Sequence, residues 1–250
     1  MKKSRFLALL MIPLSIGLFS CSEEDEDEDP TPTTTNNNGG GGSNNNSSAS
    51  SPQFSDADAA LIAVESVTKT VGLSITIGTA VATFNDGSGT LVDAGTVMVE
   101  GETMTKNSNN SYTYTASQTA PQGISFSQPI AWSISGSSDV TAFSENRTQT
   151  FPTVGDVNSA ATVDKSDGYT LSVPNVAGAD SVMFFVGDVS KTLGGSTTSY
   201  TFSSAELGSL ANGTSIAQVA AFDIDNKTIN SKKVYFLTET VKQLSVTIQD

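Results

Sequence analysis

The sequence predicts an all-β fold in which two tandem antiparallel β-sandwiches follow a disordered tether. Three observations predict it. Short runs that alternate apolar and polar residues, rich in Val, Ile, Thr, Tyr and Phe, recur after residue 53 and are separated by Gly, Asn, Asp and Ser. Helical periodicity is nearly absent from the same region. Residues 30–53 consist mainly of Thr, Asn, Gly and Ser, which cannot bury enough apolar surface to offset the entropy lost on folding.

The first twenty residues have the pattern of a targeting segment. Lys2, Lys3 and Arg5 precede an apolar stretch over residues 6–19. A membrane-spanning helix needs about 20 apolar residues, so this stretch is too short to span. A basic front followed by a short apolar run with small residues at its end is typical of a signal peptide. The sequence therefore predicts that residues 1–20 are removed, and a retained amphipathic anchor is the alternative interpretation.

Cys21 is the only cysteine of the chain, and Leu18-Phe19-Ser20 precede it directly. These four residues resemble the lipobox of bacterial lipoproteins, with Phe19 at a place where a smaller residue is usual. The resemblance implies that Cys21 becomes the first residue of the mature chain and carries a diacylglycerol, with palmitate among the acyl chains. It also implies a membrane partner through this N-terminal lipid.

An acidic run follows the cysteine at once and is similar to the export signal of Bacteroidota surface lipoproteins. The resemblance implies that the protein is anchored in the outer membrane and faces the cell exterior. A solvated start of the linker is the alternative, because blocks of like charge are usually disordered. The residues of the run are Ser22, Glu23, Glu24, Asp25, Glu26, Asp27, Glu28 and Asp29. Together with residues 30–53 they form a tether that reaches roughly 30 Å as a flexible chain.

Composition excludes several classes of function. The chain holds 26 acidic and 12 basic residues, and a surface this acidic repels phosphate, so we expect no nucleic-acid partner. It has no histidine, and its one cysteine is assigned to the lipid, which excludes Ser-His-Asp and Cys-His catalysis and imidazole or thiolate metal sites. Carboxylate chemistry stays open, yet no pair of carboxylates can be singled out for a glycosidase. The sequence therefore predicts no enzyme, no catalytic residue and no cofactor.

In the first sandwich, assigned to residues 54–152, alternation predicts strands over 60–67 and 71–77. The apolar positions change from odd to even numbers at Gly78, which predicts a bulge or a turn there. A turn follows over 85–89. Trp132 alternates with Ile130 and Ile134, so it is predicted to anchor the core. Further strands are predicted over 96–99, 112–114, 124–126 and 130–134.

Pro152 is the predicted domain boundary, and the second sandwich is assigned to residues 153–250. Two short motifs of the first half recur in the same order in the second half. Val97-Met98 recurs as Val182-Met183, and Tyr112-Thr113-Tyr114 is similar to Tyr200-Thr201-Phe202, which predicts two copies of one unit. Strands are predicted over 169–173 and 181–186, and Ser203-Ser204-Ala205-Glu206 has the pattern of a capping box.

The segment from Tyr200 through that helical turn to the strand ending at Ala221 resembles fibronectin type III and immunoglobulin-like domains. This resemblance implies that the two sandwiches are immunoglobulin-like. A hairpin turn is predicted over 223–227, followed by two last strands over 234–236 and 244–248.

Asp223, Asp225 and Asn226 are weak candidates for a calcium site, because carboxylate and amide oxygens are the ligands that calcium prefers. The segment lacks the glycine and the distal glutamate of a calcium loop, and ordinary turn chemistry explains the same residues. The sequence therefore predicts no metal.

Two functions from different classes remain. The first is a non-enzymatic, lipid-anchored surface protein that acts as a protein-interaction module or an accessory subunit of an outer-membrane assembly. The alternative is a glycan-capture lipoprotein of a polysaccharide-uptake system. The alternative requires Tyr112, Tyr114 and Tyr200 to form a flat row that faces solvent, whereas core positions for these tyrosines favour the first function.

Overall fold

A computed structural model describes residue 54, residues 56–70 and residues 73–250 of the chain. These residues form an all-β, sandwich-like fold with several antiparallel sheets, which confirms the predicted all-β class, whereas the immunoglobulin-like type of the sandwiches stays a prediction. The strands before Pro152 are β1 (Ala59–Thr70), β2 (Leu73–Phe84), β3 (Val97–Val99), β4 (Glu102–Thr103), β5 (Thr105–Lys106), β6 (Tyr112–Tyr114), β7 (Ile130–Ile134) and β8 (Phe143–Arg147). The elements after it are β9 (Thr153–Val154), β10 (Thr162–Asp164), β11 (Tyr169–Ser172), β12 (Val176–Ala177), β13 (Ser181–Val186), β14 (Val189–Gly194), β15 (Ser199–Phe202), α1 (Ser204–Leu207), β16 (Gly213–Ile229) and β17 (Lys232–Gln249).

One nine-stranded sheet organises the described chain. Its main path runs β14-β13-β16-β17-β1-β2-β6-β5, and β10 pairs with β17 beside this path. β1 and β10 run parallel to β17, and the other neighbours in this sheet are antiparallel. Three smaller sheets accompany it, with the orders β4-β3-β7-β8, β11-β15 and β12-β9.

The longest hairpin of the sheet is formed by β16 and β17, and its turn is not where the sequence predicts it. Residues 223–227 lie inside β16 and pair with β17 in continuous register. The turn consists of Asn230 and Ser231, whose φ angles of 50° and 64° are those of a tight two-residue hairpin. β13 pairs with the other edge of β16 only from Ala217 to Phe222, so Asp223 to Lys227 have no strand partner on that edge, where charged residues are favoured.

The end of the chain is also one strand rather than the two that the sequence predicts. β17 runs without a break from Lys232 to Gln249. The polar residues in the middle of β17 lie between the two predicted strands, and their side chains alternate between the two faces of the sheet.

The predicted bulge or turn at Gly78 is wrong, because β2 pairs with β1 in unbroken register through Gly78. The predicted strand over 124–126 is wrong as well, since this segment lies in no strand of the described chain. Instead, Gly78 N–H donates to Gln122 O at 2.9 Å, and Ile124 N–H donates to Gly78 O at 3.0 Å. A Cβ at position 78 would lie 1.9 Å from Ile124 O, so only glycine permits this close approach.

Two hydrophobic cores lie on one face of the large sheet, which we call the sandwich face. The first core includes Phe84, Tyr112, Trp132 and Phe236, and the sheet that contains β3 and β7 covers it. The second core includes Tyr169, Phe184, Phe202, Leu207 and Ile248, and the β11-β15 sheet and α1 cover it. The predicted core role of Trp132 and the predicted capping box at Ser203 and Glu206 are confirmed.

The segment after β8 crosses the sandwich face between the two cores. Gln149 Nε2 donates to Asp223 O at 2.6 Å, and Thr238 Oγ1 donates to Thr150 O at 2.9 Å. β17 supplies Phe236 to the first core and Ile248 to the second, so it contributes to both. The division at Pro152 stays a prediction.

The two motifs that the sequence relates as copies occupy different places. β3 lies in the four-stranded sheet and β13 in the large sheet, whereas β6 lies in the large sheet and β15 in a two-stranded one. Within the described ranges, no helix is long and apolar enough to cross a membrane.

Candidate functional site

The face of the large sheet opposite the two cores is the most unusual surface of the described chain. Strand residues alternate between faces, so neighbours on β17 such as Phe236 and Leu237 point in opposite directions. We call this second side the central face. Its apolar strand residues are Ile62, Val64, Val81, Met183, Phe185, Ala220, Phe222, Ile224, Tyr235, Leu237 and Val241. Strand pairing places these polar residues on the same side: Ser66, Thr79, Thr83, Ser181, Gln218, Glu239 and Gln243.

The central face forms a hydrophobic cluster of its own. Ala220 is 2% exposed and Leu237 is 4% exposed. Among the described residues, only Phe54 and Ala57 join this cluster from outside the strands. Phe54 packs edge-on against Tyr235, with ring centroids 5.3 Å apart. The sandwich face is therefore covered by described sheets. On the central face, Ile62, Met183 and Phe222 are also buried, at 2–5% exposure.

Glu239 is the one carboxylate on the central face. Its cross-strand neighbours are Phe222 on β16 and Val64 on β1, both apolar. Burial raises the pKa of Glu239 to about 8, because a charged carboxylate is poorly solvated there. Gln218 and Gln243 face each other across β16 and β17, two side-chain rows away. The face thus combines a broad apolar area with one acidic and two amide groups.

The calcium candidates of the sequence do not converge on one site. Asp223 and Asp225 lie on the sandwich side of β16, and Asn226 points to the other side because residues alternate. Burial is the main cause of the raised pKa of Asp223, and the nearby Asp180 adds to it. Asp225 forms an ion pair with Arg147. Within the described ranges, no group of three or more Asp, Glu, Cys or His side chains could hold a metal ion.

Arg147 is the centre of a charged network that ties β8 to the long hairpin. Its guanidinium pairs with Asp225 and lies 3.9 Å from Glu145, which also binds Lys227 at 2.7 Å. The same guanidinium lies 4.4 Å from the centre of the Phe236 ring. The charges are matched within the network, so it fastens the four-stranded sheet onto β16 and β17.

The tyrosines named for glycan binding do not form an exposed row. Tyr112 is 1% exposed, donates to Asp93 Oδ1 at 2.7 Å and accepts from Ala94 N–H at 2.9 Å. Tyr114 packs against the first core, and Tyr200 packs against the second, where its hydroxyl donates to Glu206 at 2.8 Å. The flat, solvent-facing row of tyrosines that the glycan alternative requires is therefore not formed by these three residues.

The predicted lipidation residue Cys21 and the predicted export signal over 22–29 lie outside the described residues. Sequence reasoning missed the central face and Glu239. The signal was present in β17: Tyr235, Leu237, Glu239 and Val241 are in phase with one another once residues 232–249 are read as one strand. Splitting that segment into two strands hid the alternation.

No protein-family model matches the chain, and neither a curated protein nor a solved structure is significantly similar to it. The site must therefore be interpreted from its own chemistry.

Proposed function

We propose that this chain is a non-enzymatic, lipid-anchored cell-surface protein that acts through protein contacts, as an interaction module or as an accessory subunit of an outer-membrane assembly. The observation that carries the proposal is the place of Tyr112, Tyr114 and Tyr200, which pack against the two cores and leave no flat exposed row for a sugar.

The residues around Cys21 support the location. The cysteine follows an apolar leader and a small residue, and an acidic run follows it directly. This order is the one that lipid attachment and surface export require. A lipid at Cys21 holds the body at the membrane, and the polar stretch up to residue 53 gives it reach. The glycan-capture alternative has no specific observation in its favour among the described residues.

The anchor is tested with Cys21→Ala in a bacterial host that processes lipoproteins. We expect the parent chain to incorporate radiolabelled palmitate and to enter the detergent phase on partitioning. The variant should do neither and should still fold, because both cores and all described strand pairings lie after residue 53. Ser20→Ala is the matched control, since it keeps a small residue before the cysteine and should still be labelled. A parent chain without label would refute the lipid anchor.

Surface exposure is tested separately by replacing the acids over 23–29 with Ser and Asn. The altered chain should keep its palmitate label and lose its sensitivity to protease added outside intact cells. Cleavage equal to that of the parent chain would show that the acidic run is only a linker.

A further inference from the structure

The central face is buried within a single chain, although the described residues do not account for its whole cover. Leu237 is 4% exposed and Phe222 is 2% exposed, and both side chains point away from the sandwich cores. On a sheet face that is open to water, strand neighbours flank a side chain while its outer end stays accessible. Among the described residues, only Phe54 and Ala57 join this cluster from outside the strands. The rest of the cover must therefore come from residues of the chain outside the described ranges.

Most residues outside those ranges are unsuited to this role. Residues 71–72 connect the ends of β1 and β2 about 27 Å along β1 from Ile62, so this short connection cannot reach the middle of the face. Residues 22–53 contain Ala49 as their only aliphatic residue, and residues 23–29 are all acidic. Covering an apolar sheet with them would take polar and charged groups out of water, which costs free energy.

Residues 6–19 have the composition that the central face requires. They are apolar except for Ser15, and no other long apolar run lies outside the described ranges. A run of this length spans between about 21 Å as a helix and about 46 Å as a strand. The central face measures about 27 Å along β17 from Tyr235 to Gln243. The run is therefore long enough to cover most of the face in either conformation.

The described chain also begins on the central face, close to the surface that needs a cover. Phe54 packs edge-on against Tyr235, with ring centroids 5.3 Å apart, and Ala57 joins the same cluster. Residues 20–53 connect this corner to the apolar run, and a connection of their length and composition has a reach of roughly 30 Å. The apolar run can therefore return to the face from which the described chain starts.

We propose that residues 6–19 of the unprocessed chain pack on the central face and bury it. The run contacts Leu237, Val241 and Phe222 in the middle of the face, and the removal of both apolar surfaces from water drives the contact. This inference goes beyond the proposed function, because it concerns the chain before Cys21 is processed. Where that processing takes place, the cleavage that makes Cys21 the first residue also removes the cover from the central face.

The test keeps the whole chain and changes only its apolar run. The full-length chain with Cys21→Ser is synthesised without membranes, so that neither lipid nor signal peptidase acts on it. It is treated with peroxide, and the sulfoxide at Met183 and Met104 is measured by mass spectrometry, because a buried methionine is oxidised only when it becomes exposed. Leu10→Asp places a charge in the run and should speed the oxidation of Met183 at least about tenfold. Ser4→Asp adds the same charge before the run and should leave that rate unchanged.

Met104 lies in the first core and reports whether a variant is still folded. Should Leu10→Asp expose both methionines, Leu10→Ala repeats the comparison with a smaller perturbation and should speed the oxidation of Met183 alone. Equal Met183 rates in the parent chain and in both Leu10 variants would overturn the proposal, since the cover would then be another segment. Equal acceleration by Ser4→Asp and Leu10→Asp would overturn it too, because the effect would be one of charge alone. Palmitate labelling is a separate measurement, so either result can fail without the other.

Discussion

The two faces of the large sheet are built from the same strands and differ in what covers them. On the sandwich face, small sheets and α1 close two cores, and Phe236 packs beneath the Arg147 guanidinium. On the central face, the neighbouring Leu237 lies in an apolar cluster that the described chain covers only through Phe54 and Ala57. Alternation along one strand therefore divides its residues between cores closed by small sheets and a cluster that only Phe54 and Ala57 join from outside the described strands.

Carboxylates that burial affects lie on both faces of the sheet. Burial raises the pKa of Glu65 and of Asp223 on the sandwich side, and it raises that of Glu239 on the central face to about 8. The cross-strand neighbours of Glu239 are the apolar Phe222 and Val64, so its charged form is poorly solvated and costs folding free energy.

The largest expected effect is that of Phe236→Ala. Removing a fully buried ring leaves a cavity in the first core, so the free energy of unfolding should fall by about 3–5 kcal/mol. The matched change Leu237→Ala, one residue away on the opposite face, should cost less, about 2–3 kcal/mol, because its cluster holds fewer described residues. Urea unfolding followed by tryptophan fluorescence measures both, because Trp132 lies in the first core. Equal losses would break the distinction between the faces.

Two glycine-to-alanine substitutions, one on each face of the large sheet, compare how much room each face leaves for an added methyl group. Gly78 lies under residues 122–124, and a Cβ there would meet Ile124 O at 1.9 Å, so Gly78→Ala should cost about 1–3 kcal/mol. Gly194 pairs with Ser181 on the side of the central face, and a Cβ there meets nothing within 4 Å. Gly194→Ala should change the unfolding free energy by less than about 1 kcal/mol. Thermal melts of the two variants test this, and a Gly194→Ala cost as large as that of Gly78→Ala would contradict it.

Tyr112→Phe tests how tightly the first core is closed. The hydroxyl accepts from the buried Ala94 N–H, which has no comparable partner once the hydroxyl is removed. We expect a loss of about 1–3 kcal/mol in chemical denaturation. Tyr200→Phe removes a hydroxyl that binds the partly exposed Glu206, so the free energy lost should lie at the lower end of that range or below it. A larger loss for Tyr200→Phe would mean that the second core depends more on its tyrosine than the first.

A fourth prediction concerns the sign of the pH dependence rather than its size. Hydrogen bonds from Lys106 and Tyr112 lower the pKa of Asp93, so its stabilising contribution is present above the unfolded pKa near 4 and is lost as the pH falls. Burial raises the pKa of Glu239 to about 8, so the protonated form is favoured in the folded state. Stability from this group is complete below the unfolded pKa near 4 and is lost as the pH rises toward 8.

Asp93→Asn should therefore flatten the fall of stability at acid pH below about 4, and Glu239→Gln should flatten the decline between about pH 4 and pH 8. Urea midpoints measured across this pH range check both slopes. If Glu239→Gln left the slope between pH 4 and pH 8 unchanged, the carboxyl would not be buried in the folded protein.

The sequence alone predicted the all-β class, because alternation survives in segments such as Ile130 to Ile134 and Tyr169 to Val173. The capping box at Ser203 was predictable for the same reason, since its hydrogen bonds are local. The errors arose where tertiary pairing overrides local preference. Asp223 to Lys227 favour a turn by themselves, but pairing with β17 holds them in a strand.

The candidate site was not predictable in the same way. The role of Gly78 depends on residues 122–124, which lie far away in sequence. Recognising the central face requires knowing that β1, β2, β13, β16 and β17 share one sheet, and the parallel pairing of β1 with β17 joins the two ends of the described chain. Local patterns do not contain that information.

Methionine oxidation tests the division between the two faces most directly. Met104 lies in the first core and Met183 on the central face, and both are 4% exposed. The protein is treated with peroxide over a series of urea concentrations up to its unfolding midpoint, and the sulfoxide at each methionine is measured by mass spectrometry. Our account predicts that Met104 is oxidised only as the whole protein unfolds, whereas Met183, in the smaller cluster, is oxidised at lower urea concentrations. An identical dependence on urea for the two methionines would contradict the account.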